Sequence, residues 1–288
     1  MRQIADQAKS LLKRSSPGLA KSFKTGYQQV LRKGYGTALK LNGGKPKYLL
    51  ILGHMRSGST LLLHLLNSNP AIIGYGETHL HYKTAADLEN LLPELAYFFR
   101  KTSLPHKYAL DKVLHNSFLN DFSLLSREDV YSLFLLRDPI RTMQSLRDLN
   151  SLHDPLFDTT TENGCLTYLT ERLARLEGMS SAVRPGQSLL VTYEDLVNHT
   201  EESFSALEQW LGLTHPLQEA YALHRGSGQW GMGDGTDLIK SKKIQSKARP
   251  LPIAVSQSAA ELATASYNRC HDTLSRSCET IRATTTAR

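Results

Sequence analysis

The chain has 288 residues, enough for one large α/β domain or two small ones, and its 40% hydrophobic and 21% charged residues exclude disordered and fibrous classes. Its formal charge of +7 is local. Residues 1–47 hold 11 Lys/Arg against Asp6 alone, a net of +10, whereas residues 48–288 hold 23 bases against 26 acids, a net of −3. A basic arm, 1–47, therefore precedes a slightly acidic domain, 48–288, whose balance does not suit nucleic acid. No stretch reaches the roughly 18 consecutive apolar residues of a membrane span, and the basic start lacks the apolar run of a secretory signal, so a cytoplasmic location is expected. Cys165, Cys270 and Cys278 contain no Cys-x-x-Cys pair and suggest neither a disulfide framework nor a zinc site.

In chain order, the arm breaks at Ser16-Pro17-Gly18 and Gly43-Gly44-Lys45-Pro46, which predicts short helices and a flexible entry. The continuous apolar run 48–52 predicts a strand buried on both faces, as in the centre of a parallel sheet. A Gly/Ser-rich loop follows, then a buried helix over 61–66 that ends near Asn69-Pro70. A second short strand is expected over 71–75, and one helix over 84–101. The run 131–136 predicts a third strand, after which Asp138 as N-cap and Pro139 at the first helical position start another helix. An amphipathic helix is expected from Leu166, Leu169, Leu173 and Leu176, a fourth strand over 189–193, a helix from Thr200 closed by Gly212, a long loop over 226–243 and a terminal helix over 253–283. This alternation predicts an α/β fold, a parallel sheet with helices on both faces and ligands at the carboxyl ends of its strands.

The loop Gly53-His54-Met55-Arg56-Ser57-Gly58-Ser59-Thr60 lies between the first strand and its helix, where backbone N–H groups form an anion cradle. Against the triphosphate pattern G-x-x-x-x-G-K-[S/T] it matches at Gly53, Gly58 and Thr60, but Ser59 stands in place of the lysine. A loop with Arg56 and hydroxyls but no lysine suits a shorter phosphate-like group. Arg137, at a strand's carboxyl end beside a helix N-terminus, offers a bidentate fork to a phosphate. Its alternative is a surface ion pair with Asp138 or Asp148.

Arg56-Ser57-Gly58-Ser59-Thr60 resembles the 5′-phosphosulfate loop of sulfotransferases that use 3′-phosphoadenosine-5′-phosphosulfate, especially the bacterial and carbohydrate-type branches. Arg137-Asp138-Pro139 with Ser145 is similar to the family's second element, which grips the 3′-phosphate. Residues 190–196 resemble its R-Y-E-D-L strand, with Thr192 in place of Arg. The resemblance implies a P-loop NTPase-like sulfotransferase fold and sulfuryl transfer to the hydroxyl of a carbohydrate, lipid or small-molecule acceptor, without a metal. It implies that Arg56, Ser57, Gly58, Ser59 and Thr60 hold the donor's phosphosulfate, and that Arg137 and Ser145 hold its 3′-phosphate. Arg225, in the partly matching Arg225-Gly226-Ser227-Gly228-Gln229-Trp230, would assist, with Trp230 against the adenine. Glu77 resembles the family's catalytic Glu and Arg56 stands at a catalytic position; His79 and His81 are alternative bases. The basic arm suits peripheral contact with an anionic membrane. A P-loop kinase, and a membrane-peripheral nucleotide-binding protein without catalysis, are the competing readings.

Overall fold

The computed structural model describes residues 30–39 apart from 32, 44–148, 158–223, 237–245, 251 and 253–281. Two compact units emerge, one from residues 1–44 and 92–105, the other from 45–91 and 106–288. In the first, the Tyr35 ring meets the Tyr97 ring edge-on, with centroids 6.0 Å apart.

The second unit holds a six-stranded sheet in the order β2-β3-β1-β4-β5-β6, with every pair parallel. Strand β1 (Lys47–Gly53) is central, and Tyr48 to Leu52 are fully buried, as the unbroken apolar run requires. Helix α1 (Ser59–Asn67) follows, then the short β2 (Ile72–Ile73). The expected single helix over 84–101 is two, α2 (Ala85–Glu89) and α3 (Leu91–Phe99). The Thr84–Asp87 capping box starts the first, and Asn90 ends it with backbone bonds back to Asp87 and Leu88.

Strand β3 (Tyr108–Val113) is an element that hydrophobic patterning misses, because Asp111 and Lys112 interrupt its apolar run. It inserts between β1 and β2, and both charged residues are buried. Strand β4 (Val130–Leu136) pairs with the other side of β1 and leads into α4 (Pro139–Arg147). Asp138 caps that helix as expected, accepting from the Arg141 amide at 2.7 Å. Then come α5 (Glu162–Met179), β5 (Ser188–Thr192), α6 (Tyr193–Asn198), α7 (Thr200–Leu211), the short α8 (Asp237–Lys240) and α9 (Gln257–Ser277). Gly212 closes α7 at φ 55°, a left-handed cap. A sixth strand, β6 (Glu279–Thr280), follows α9 where the sequence suggested only continued helix.

The first connection carries the chain from β1 to β2 on one side, and β4 pairs on the other. The sheet thus switches direction between β1 and β4, where open α/β sheets bind ligands. The Gly53–Thr60 loop leaves β1 at this point, and Arg137 leaves β4. Among the described residues, no helix is long and apolar enough to cross a membrane.

Candidate active site

Gly58 ends the loop and caps α1 at φ 90°, with no side chain of its own to accept from the first-turn amides. A Cβ there would lie 2.3 Å from Tyr193 Cδ2, so the position requires glycine twice, for its backbone and for the ring packed on it. Arg56 also adopts positive φ, 63°, a conformation that costs a non-glycine residue of order 1 kcal/mol and tends to collect at functional sites.

The sequence elements assigned to the donor converge in space. Arg56 Nε donates to Ser145 Oγ at 2.8 Å, and Arg137 Nη1 donates to the Arg56 carbonyl at 2.8 Å. The Arg137 guanidinium lies 4.3 Å from the centroid of the Tyr193 ring, a cation–π contact, rather than in an ion pair with Asp138 or Asp148. Burial lowers its pKa from the usual value. Arg137 Nε and Ser57 Oγ are buried without a hydrogen-bond partner among the described residues. Two orphaned donors beside an uncapped helix N-terminus form a fitting seat for an anionic group. Ser59 and Thr60 are buried in the first turn of that helix.

Thr192, where the family motif has Arg, is a helix cap. Its hydroxyl accepts from the Asp195 amide at 3.0 Å and donates to Asp195 Oδ2 at 2.7 Å. Tyr193 is therefore the first residue of α6 and not the last of β5, which turns its ring onto Gly58 and Arg137.

Glu77 follows β2. The Lys112 amide donates to the Gly76 carbonyl at 3.3 Å, and the Thr78 amide to Asp111 Oδ1 at 2.9 Å, so β3 holds the residues on either side of Glu77. Asp111 also accepts from the Thr78 hydroxyl at 2.7 Å, the Tyr82 hydroxyl at 2.6 Å and the Lys112 amide at 2.9 Å. Burial nevertheless pushes its carboxyl up to about 6. Glu77 itself is 12% exposed. Its Oε1 lies 3.4 Å from Lys112 Nζ and its Oε2 lies 4.0 Å from His115 Nε2.

Lys112 is a candidate site residue that sequence reasoning missed. Its Nζ is fully buried and donates to the Thr60 hydroxyl at 3.3 Å. The cation missing from the loop at Ser59 is thus supplied in space from β3, between Thr60 and Glu77. A lysine in an otherwise strand-like run was the available signal. His79, His81 and His115 all place their rings edge-on to Phe118, with centroids 5.6, 5.1 and 5.5 Å away. His81 is exposed and its Nδ1 bonds the Ser117 carbonyl, whereas His115, another residue not singled out in sequence, faces Glu77. No group of three or more His, Cys, Asp and Glu is arranged to hold a metal among the described residues. Arg225 and Trp230 lie outside the described residues.

Residues 81–217 match the model of the sulfotransferase family. That stretch is similar to the sulfotransferase family. The match begins beyond the 53–60 loop, so the family match and the loop resemblance rest on different residues. The fold agrees: the structure is similar to the sulfotransferase domain from the curacin biosynthetic pathway, with a TM-score of 0.53 and 18% identity over 77% of this chain and 97% of that one. It is also similar to the sulfotransferase domain from the Synechococcus PCC 7002 olefin synthase, with a TM-score of 0.50 and 18% identity over 77% and 94%. No curated protein sequence matches.

Proposed function

We propose that this protein is a sulfotransferase that moves a sulfuryl group from 3′-phosphoadenosine-5′-phosphosulfate to an acceptor hydroxyl, carried by a carbohydrate or glycolipid. The observation that carries the reading is the Arg137–Arg56–Ser145 chain of hydrogen bonds. It joins the two sequence elements assigned to the donor's two phosphates, which are remote in the chain. In this reading Arg56, Ser57 and the amides of Gly58, Ser59 and Thr60 hold the phosphosulfate, while Arg137 and Ser145 hold the 3′-phosphate.

Glu77 takes the proton of the acceptor hydroxyl as its oxygen bonds to sulfur. The bond from sulfur to the bridging oxygen breaks in line, and adenosine 3′,5′-bisphosphate leaves. Arg56 and Lys112 face the negative charge that develops on that oxygen, where fixed cations in a buried site act most strongly. The carbohydrate class rests on the R-S-G-S-T form of the loop. The basic arm holds the enzyme at an anionic membrane surface, each Lys/Arg near the leaflet contributing about 1 kcal/mol. Deleting residues 1–44 should reduce co-sedimentation with anionic vesicles as high salt does, and equal binding by both forms would remove that part.

The central test is thermal stabilisation by adenosine 3′,5′-bisphosphate against ATP with magnesium. A ligand at 100 times its dissociation constant adds about 2.7 kcal/mol to the folded state. The bisphosphate should stabilise strongly and ATP-Mg weakly. The reverse order would favour a P-loop kinase.

A further inference from the structure

Helix α5 carries two buried polar side chains, one turn apart on the same face, that the reaction scheme does not use. Tyr168 Oη accepts from the Met55 amide at 2.8 Å and donates to the Leu114 carbonyl at 3.3 Å. Arg172, fully buried, donates from Nε to the Gly53 carbonyl at 2.8 Å and from Nη2 to the Val113 carbonyl at 2.6 Å. Its Nη1 reaches Asn116 Oδ1 at 3.0 Å. Both residues therefore bond the exit of β1 with one contact and the exit of β3 with the other. They form two rungs with the spacing of successive helical turns.

Burying a guanidinium among neutral acceptors is costly, and burial lowers its pKa to about 10, still charged at neutral pH. A core that only needed filling would use an apolar side chain here. The planar fork instead meets the two carbonyls from separate nitrogens, Nε and Nη2, in a fixed geometry that the single ammonium of a lysine does not impose. The first exit begins the anion cradle and the second carries Lys112 and His115, the partners of Glu77. The Tyr168 ring also lies 6.3 Å from that of His115.

We infer that Tyr168 and Arg172 are positioning residues that lock the donor loop to the base-bearing side of the site, so that ligand binding on the loop is transmitted to residues 112–116. This rests on the donor reading above only for the choice of ligand. The cradle sets where sulfur sits and β3 sets where Glu77 sits, and a shift of about 1 Å between them is enough to cost roughly a hundredfold in rate.

The test is amide hydrogen exchange on the full chain and on Tyr168→Phe and Arg172→Lys, with and without adenosine 3′,5′-bisphosphate. In the native protein the bisphosphate should slow exchange tenfold or more in both 53–60 and 112–116. In each variant it should still protect 53–60, at an affinity within about threefold, but protection of 112–116 should be lost. Persistence of that protection in both variants overturns the proposal, as does its absence from the native protein when 53–60 is protected. If the bisphosphate fails to bind the native protein, the donor reading falls. The lock between the two exits is then decided without ligand: Tyr168→Phe should speed exchange at both exits together, and a change at only one exit overturns it.

Discussion

Lys112 Nζ lies 3.4 Å from Glu77 Oε1, although Lys112 lies within β3 and Glu77 follows β2. The same ammonium reaches the Thr60 hydroxyl at the start of α1. One buried cation therefore spans the anion cradle and the candidate base, and it orders the expectations for both.

Glu77→Gln should keep bisphosphate affinity and lose turnover by about two to four orders of magnitude, the usual range for removal of a general base. Lys112→Met should lower turnover by about two to three orders, through lost charge at the leaving oxygen and a freed Glu77 carboxylate. Sulfate transfer by each purified variant, normalised to folded protein, checks both. Near-native turnover of Glu77→Gln would move the base to His115.

Arg137→Ala should weaken bisphosphate binding by about 2 kcal/mol, near thirtyfold, because charge-assisted bonds to phosphate are among the stronger ones. Ser145→Ala should do less, since an uncharged hydroxyl, already accepting from Arg56 Nε at 2.8 Å, gives a weaker bond to phosphate than a guanidinium. Calorimetric titration separates the two; an unchanged affinity in Arg137→Ala would show that the 3′-phosphate is held elsewhere.

Gly58→Ala should destabilise the fold by about 2–4 kcal/mol, since its Cβ would overlap the Tyr193 ring and its φ of 90° suits only glycine. Adding Tyr193→Ala should recover part of the loss and leave about 1 kcal/mol of backbone strain. Urea midpoints of the two variants measure this, and full recovery in the double variant would assign the whole effect to the ring.

Asp111 gives a pH dependence with a defined sign. Its folded-state pKa, pushed up to about 6 by burial, exceeds the usual carboxylate value near 4. The native state therefore binds this proton more readily than the unfolded chain, and ionising Asp111 costs stability as pH rises from about 4 to about 6. At 1.36 kcal/mol per pH unit the change is at most about 3 kcal/mol. The stability of the native protein relative to Asp111→Asn should fall across that window, as read by urea unfolding. A relative rise would mean that the four donors outweigh burial.

Alternation of apolar runs and punctuated loops was enough to reveal the parallel sheet, the cradle after β1, the Asp138-Pro139 helix start and the Arg137 and Ser145 spacing, because each depends on neighbours in the chain. The switch between β1 and β4 and the inserted β3 do not. A strand containing Asp111 and Lys112 contradicts the rule that charges stay in water, and only tertiary contacts reverse it. Asp111 is satisfied by four donors, and Lys112 by Thr60 and Glu77. Tyr193 likewise reads as a strand end until Thr192 is seen capping α6. The sequence by itself determined a cradle of backbone amides after β1 and the absence of a lysine from it. Tertiary structure alone decided which cation completes the site and which side chains lock its two halves together, because those bonds form between strand ends that only the folded sheet brings side by side.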